Sequence, residues 1–371
     1  MKLKVFLVAL VAILLLAGCS KSSNKNAPIL IGVAGAHSGD LAPYGLPTVN
    51  AVELVVEDWN KKGGVLGRQI KVLVEDDGCK PELASNVASK LVGEKVTGVI
   101  GHICSGATKA AMGIYRDSKI IAISPSATNP DLTAGNYPNF FRTIAPDDAQ
   151  AAVEVELIKK LGIKKIAILH DKGDYGKGFA TFVKDMIKED GSVEVKLFQG
   201  ITVGAVDYSA ILNKVSGANV DAIVFGGYHP EASKLVEQMH KMKLNIPFLS
   251  DDGVKDNTFI KVAGEYAEGV YATGPIDTSA SPAAQKALQM HKDKYGEDAG
   301  TFFLNAFAAT EALLTGIEKA GSTNYDDIRN ALLSMKVETP LGNIGFDSSG
   351  NPKGVGFSGF QVVNGVYTEV K

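Results

Sequence analysis

The sequence predicts an α/β protein of two doubly wound, parallel-sheet lobes, and three observations predict it. Short β-branched runs alternate with helical periods from residue 29 onward, the alternation occurs twice with different residues, and about 350 residues remain after an N-terminal leader. Alternating βα units pack as a parallel sheet covered by helices on both faces. One hydrophobic core stops growing beyond roughly 250–300 residues, so two domains are expected.

The first lobe opens with a strand at Ile29–Gly35. Val49, Val52, Val56 and Trp59 then recur at helical spacing and stop at Gly63-Gly64, as a helix C-terminus should. Gln69–Glu75 is the next strand, and Leu83, Val87 and Leu91 mark a helix opened by Pro81. Val96–Ile100 and Lys119–Ile123 are strands with one more helix between them. The second lobe follows the same grammar: strand Lys165–Leu169, helix Gly176–Glu189, strand Val193–Phe198, helix Tyr208–Val215, strand Ala222–Phe225, helix Pro230–Met242. Helices at about 282–295, 301–320 and 325–335 come next, then Gly- and Val-rich strand segments to the end. Helices returning after a second αβ half imply a chain that crosses between the lobes more than once.

Residues 1–18 read as a secretory leader. Lys2 and Lys4 precede twelve apolar residues, Val5 to Leu16, and then Ala17-Gly18-Cys19. Twelve residues fall short of the roughly 20 that span a bilayer as a helix. Small residues before a cysteine have the form of a lipoprotein cleavage box, so Cys19 is expected to become a lipidated N-terminus. An ordinary signal peptide that happens to hold a cysteine is the alternative. Residues 19–27 fit a solvated tether, since Ser20 to Ala27 contains no large apolar side chain. The expected location is extracytoplasmic and lipid-anchored. Two cysteines then remain, Cys79 and Cys104, and such a pair in an exported protein can form one disulfide; two buried free thiols are the alternative. No metal is expected, because none of the six histidines lies at ligand spacing from another or from either cysteine.

A net charge of −3 with scattered lysines gives no basic stripe for nucleic acid. The partner is expected to be a small molecule, with no cofactor. Open parallel sheets bind ligands at the carboxyl ends of their strands, where helix N-termini point outward. The residues just after expected strands are Ser105, Ser124 to Thr128, Tyr175, Tyr228 and Asp252, each of which could instead simply cap a helix or fill a turn. Enzyme signatures are missing: there is no G-x-S-x-G turn and no Walker phosphate loop, and Gly32, Gly35 and Gly39 do not space as G-x-G-x-x-G. His37, His102, His170 and His229 lie at strand ends, where histidine more often makes an ordinary hydrogen bond than acts as a base.

The stretches GAHSGDLAPYG (35–45), EDDGCKPELA (75–84), VIGHICSGAT (99–108), SPSATNPDLT (124–133), ILHDKGDYGKG (168–178) and GGYHPE (226–231) resemble the type I periplasmic binding proteins, in particular those that take branched-chain amino acids. The likeness runs over nearly the whole mature chain. It implies a monomeric receptor that captures leucine, isoleucine or valine between two lobes and delivers it to a membrane permease of an ATP-binding-cassette importer. It also implies a three-crossing hinge near residues 146, 276 and 336, so that residues 28–146 with 277–336 form one lobe and 147–276 with 337–371 the other. The family's disulfide would be Cys79 to Cys104. Relatives of this fold take amides, urea, aromatic acids or other amino acids, and another such ligand, or a sensor role, is the second expectation.

A free α-amino acid carries a carboxylate and an ammonium on one carbon, so its receptor must set donors beside acceptors. By family position Ser105, at a helix start, and the Thr128 N–H hold the carboxylate, while the Thr128 hydroxyl and the Ser126 carbonyl face the ammonium. Ile103 and Cys104, just before Ser105, are expected at the site as well. Asp252 stands where the family has glutamate, which keeps the charge but shortens its reach; Ser126 replaces an alanine of the near relative. Tyr44, Tyr175 and Tyr228 would line the cleft with aromatic faces suited to an aliphatic side chain. Phe307, in FFLNAFAAT, is a further candidate wall, though as part of a helical apolar stripe it reads first as core.

Overall fold

A computed structural model describes residues 27–370. The expected leader, the expected lipidation site Cys19 and nearly all of the expected tether lie outside the described residues. The first lobe runs β1 (Ile29–Gly35), α1 (Ala42–Lys61), β2 (Ile70–Asp76), α2 (Pro81–Gly93), β3 (Gly98–Gly101), α3 (Ser105–Asp117), β4 (Ile121–Ser124) and β5 (Phe140–Arg142). The second runs α4 (Asp147–Lys160), β6 (Lys165–His170), α5 (Gly176–Asp190), β7 (Glu194–Gly200), α6 (Ser209–Gly217), β8 (Ala222–Gly226), α7 (His229–Lys241), β9 (Phe248–Ser250), α8 (Asn257–Ala263) and β10 (Tyr271–Pro275). The chain then returns through α9 (Pro282–Tyr295), α10 (Phe303–Ala320), α11 (Tyr325–Ser334), β11 (Lys336–Thr339), β12 (Gly342–Phe346) and β13 (Pro352–Lys353), and ends with β14 (Phe357–Val363) and β15 (Val366–Glu369).

Local chemistry fixes these boundaries. Helix α9 shows how: the Ser281 hydroxyl accepts the Ala284 N–H at 3.2 Å, Pro282 occupies the first turn, and Gly296 closes the helix in the left-handed region at φ 76°. Helix α5 ends the same way at Gly191, with φ 68°. At its other end Gly176 lies against Gly226 of β8, where an added Cβ would stand 2.3 Å from the Gly226 carbonyl oxygen. Only a residue without a side chain lets the helix start come this close to the sheet, and that approach carries Tyr175 to the strand ends.

The first sheet has strand order β2-β1-β3-β4-β5, all parallel. The second repeats it as β7-β6-β8-β9-β10, also parallel, and adds β14 and β15 antiparallel at one edge. The second sheet is therefore mixed, a common way to finish an otherwise parallel sheet. In both lobes the connections leave in opposite directions on either side of the first strand, and the crevice so opened lies between β1 and β3 in one lobe and between β6 and β8 in the other.

Two apolar cores flank each sheet. In the first lobe, α1, α10 and α11 cover one face and α2 and α3 the other; in the second, the β6–β10 strands are buried between two further cores. The returning segment belongs to the first lobe. Val337, Ile344 and Phe346 of β11 and β12 join the core of Ile31, Ile123 and Leu313, with Phe346 edge-on to Phe141 at 5.1 Å. The third crossing thus follows β13, between Lys353 and Phe357, rather than lying near residue 336. The first two occur at 143–146 and 276–281. At the first of these, Thr143 and Asn305 bond reciprocally: the Thr143 hydroxyl donates to the Asn305 carbonyl (2.8 Å), and the Asn305 amide donates to the Thr143 carbonyl (2.9 Å).

Candidate functional site

The two crevices face each other across a small cavity of about 20 Å³. Its lining comes from both lobes: Tyr44, Ile103, Cys104, Ser105, Ser126 and Phe302 on one side, Tyr175, Tyr228, Asp252 and Gly253 on the other. Each lies at or near a strand's carboxyl end or a helix start.

Ser105 is the first residue of α3, and its Oγ accepts the Asn129 N–H at 3.3 Å, which leaves the hydroxyl proton to donate. The backbone N–H groups of that helix start have no helical acceptor and carry the positive end of its dipole. The Ser126 hydroxyl donates to the Ile103 carbonyl at 2.9 Å and ties the β3 loop to the β4 loop. Cys104 is disulfide-bonded to Cys79, with Cα atoms 5.5 Å apart.

Across the cavity stands Asp252, 2% exposed. Its Oδ1 accepts from the Tyr175 hydroxyl and, at 3.0 Å, from the Gln150 amide, while Oδ2 is buried with no partner. Burial pushes this carboxyl up to about 6 against the two hydrogen bonds that hold it down. Asp147 and Asp251 are buried beside it. Burial raises Asp147 to about 8 and Asp251 well above its ordinary range, and the Asp252 charge pushes both the same way. Aromatic rings close the apolar side: Tyr228 packs on Tyr175 (5.2 Å between centroids) and on Tyr44 (5.9 Å), and Tyr44 on Phe302 (6.0 Å).

Bonds between the lobes hold this arrangement shut. From the first lobe, the Tyr44 hydroxyl donates to the Gly253 carbonyl at 2.5 Å, with His229 Nδ1 2.7 Å away. Nearer the cleft mouth Lys109 of α3 pairs with Asp174 at 3.1 Å, and the Asn129 amide donates to the Asp174 carbonyl at 2.6 Å. One wall therefore offers hydroxyl and N–H donors at a helix start, the other a buried carboxylate with one oxygen free, and rings stand between them. A small zwitterion with an aliphatic side chain matches all three.

The profile of the periplasmic binding protein family matches residues 28–365. The chain belongs to that family. Among relatives of this periplasmic binding protein, the leucine-, isoleucine-, valine-, threonine- and alanine-binding protein of Pseudomonas aeruginosa is 36% identical over 353 residues, covering 95% of this chain and 94% of the relative. The Leu/Ile/Val-binding protein of Escherichia coli K12 is 35% identical over 363 residues, covering 96% and 98%. Of solved structures, the leucine-binding protein LivK of Thermotoga maritima matches with a TM-score of 0.85 at 26% identity, covering 92% of this chain and 98% of that one. LivJ of Streptococcus pneumoniae, solved with isoleucine, matches at 0.83 and 29% identity, covering 93% and 99%.

Of the residues that sequence reasoning places at the site of this periplasmic binding protein, Tyr44, Ile103, Cys104, Ser105, Ser126, Tyr175, Tyr228 and Asp252 line one cavity. Thr128 does not: it is fully buried beside Asp147, whose N–H donates to the Thr128 carbonyl at 3.0 Å. Phe307 packs into the first-lobe core, and Phe302 takes the wall position instead. Phe302 precedes α10 with a left-handed backbone (φ 65°), which turns its ring off the helical stripe that Phe303 and Phe307 follow into the core. Gln150 and Asp147 are further residues that sequence reasoning did not find.

The buried carboxyls make ligand stabilisation pH-dependent. A carboxyl whose folded value is raised above the unfolded value of about 3.9 contributes stability below that value and loses it as pH rises through the folded value. For Asp252 and Asp147 that loss runs through about 6 and about 8. An ammonium beside them favours their charged forms. The rise in Tm produced by saturating ligand is therefore expected to grow from pH 5.5 to pH 8 in thermal-shift measurements; a rise that stays constant or shrinks contradicts this assignment. The ligand-induced increment is the quantity to follow, because His37, His170 and His229, lowered by burial, tilt the Tm itself the other way below about pH 6.5.

Proposed function

We propose that this protein captures leucine, isoleucine or valine outside the cytoplasm and delivers it to an ATP-binding-cassette importer, as a binding protein without catalytic activity. One observation carries the reading: a donor-rich helix start and a buried carboxylate with a free oxygen face each other across a small aromatic cavity. The names of the Pseudomonas and Escherichia relatives, and the isoleucine in the Streptococcus structure, support the same ligand class. Ser105 and the N–H groups at the start of α3 take the carboxylate. Asp252 Oδ2 and the Ser126 carbonyl take the ammonium, and Ile103, Tyr44, Tyr175, Tyr228 and Phe302 surround the side chain. The leader and Cys19 support tethering to the membrane through lipid. No helix among the described residues is long and apolar enough to cross a membrane.

Calorimetry on refolded, ligand-stripped protein tests this against a panel of amino acids that includes threonine and alanine. Leucine, isoleucine and valine are expected to bind at micromolar or tighter affinity. Heatless titrations with every aliphatic amino acid at millimolar concentration would reject the proposal.

A further inference from the structure

An aspartate carboxylate turns readily about its Cβ–Cγ bond, so Asp252 keeps one oxygen toward the cavity only while the other is held. Two donors hold it. The Tyr175 hydroxyl comes from the loop before α5 and is itself placed by the Gly253 N–H at 2.9 Å. The Gln150 amide comes from α4, at 3.0 Å. Gln150 is fully buried and does not line the cavity.

The orientation of that amide follows from its second bond. Gln150 Nε2 also donates to Thr273 Oγ1 on β10 at 2.9 Å, and the Thr273 hydroxyl gives its own proton to the Ser250 carbonyl at 3.4 Å. A hydroxyl has one proton, so the Thr273 oxygen can face only a donor. Both Nε2 protons are therefore engaged, whereas Oε1 is buried with no partner. Turning the amide over would set Oε1 against the Asp252 carboxylate, acceptor against acceptor. The Ser250 hydroxyl in turn donates to the Phe225 carbonyl at 2.7 Å, which anchors the amide to β8, β9 and β10 together.

We infer that Gln150 is a positioning residue for ligand capture: fixed by Thr273, its amide holds Asp252 Oδ1 so that Oδ2 stays aimed at the ligand's ammonium. This inference rests on the amino-acid reading above. It adds a residue that acts through Asp252 without meeting the ligand.

The test is calorimetric titration of ligand-stripped protein with leucine, up to millimolar concentration at pH 8, for Gln150→Met in wild type and in Asp252→Ala. Methionine keeps the length of glutamine and removes both donors. Immobilising one side chain on binding corresponds to about a two- to tenfold change in affinity, so Gln150→Met is expected to weaken binding about fivefold in wild type. In Asp252→Ala, where no carboxylate remains to orient, it is expected to change affinity less than about twofold. The second readout is the pH dependence of leucine affinity, which falls as Asp252 takes up a proton. Loss of the Gln150 donor raises the Asp252 carboxyl, so the midpoint of that fall is expected to move up by about one pH unit in Gln150→Met. The titratable groups around Asp252, namely Asp147, Asp251, Lys255, Tyr175 and Tyr228, are the same in both proteins. This readout decides alone if Asp252→Ala gives no measurable heat, and Gln150→Leu replaces the methionine variant if that one does not fold. Equal losses in both backgrounds, or an unmoved midpoint, would mean that Gln150 only supports the fold and would overturn the inference; no loss in wild type would overturn it too. Wild-type protein that does not bind leucine would overturn the amino-acid reading itself, and this inference with it.

Discussion

Asp252→Asn is expected to weaken leucine binding by about 10- to 100-fold. A hydrogen bond to a charged group contributes about 1.5–3 kcal/mol, and each 1.4 kcal/mol is a tenfold change in affinity. Burial places the effect toward the upper end, because the ammonium would be enclosed without its counter-charge in a cavity that water does not fill freely. Asparagine keeps the shape and can still accept from Tyr175 and Gln150, so the fold should survive. The loss should therefore appear in the dissociation constant and not in the unfolding midpoint of the ligand-free protein. Asp252→Glu separates charge from reach. If the shorter side chain is matched to this cavity, glutamate overpacks it against Tyr175 and gains nothing. Affinity for leucine within twofold of wild type in Asp252→Asn, measured by calorimetry, would mean that the ammonium lies elsewhere.

Legibility in the sequence followed the length of the signal. Helices α9, α10 and α11 emerge within two residues of the expected ends, since each has a long apolar period and α9 and α10 close on Gly296 and Gly321. Strand β5 has three residues, too few for any period to show, and was not anticipated. The third crossing was misplaced for a different reason. Alternation identifies β11 and β12 as strands with a buried face, but says nothing about which core that face joins. Val337, Ile344 and Phe346 could have served either lobe, and packing against α10 and α11 decided for the first.

The same distinction separates the site residues that were found from those that were not. Ser105, Tyr175, Tyr228 and Asp252 follow apolar runs, and position after a strand is readable along the chain. Asp147 and Gln150 sit on α4 with Glu154 at helical spacing, and all three point inward although none is apolar. A buried polar stripe of this kind inverts the usual pattern of a surface helix. In the sequence it reads as the solvent side, and only the placement of α4 beneath the cavity shows otherwise. Phe302 was hidden by its neighbour: in a Phe-Phe pair at a helix start, the period chooses Phe303 for the core, and backbone handedness sends Phe302 to the ligand wall.

Reduction of the Cys79–Cys104 bridge is expected to produce the largest loss of stability, about 3.5 kcal/mol from the chain entropy of a 25-residue loop. The bridge joins the loop after β2 to the residue that precedes α3, so its loss should fall on the first lobe. Urea denaturation followed by a probe in each lobe should show the first-lobe transition moving to lower urea, with the second-lobe transition less affected. Function should suffer as well. Cys104 lines the cavity and precedes Ser105, and freeing it removes a covalent constraint on the helix start that faces the carboxylate. Paired Cys79→Ser and Cys104→Ser substitutions are therefore expected to weaken leucine binding severalfold even under conditions where the protein remains fully folded. An unchanged urea midpoint on reduction would show that the loop keeps its geometry without the bond. An unchanged affinity would show that packing of Ile103 and Tyr228, rather than the bridge, holds Ser105 in place.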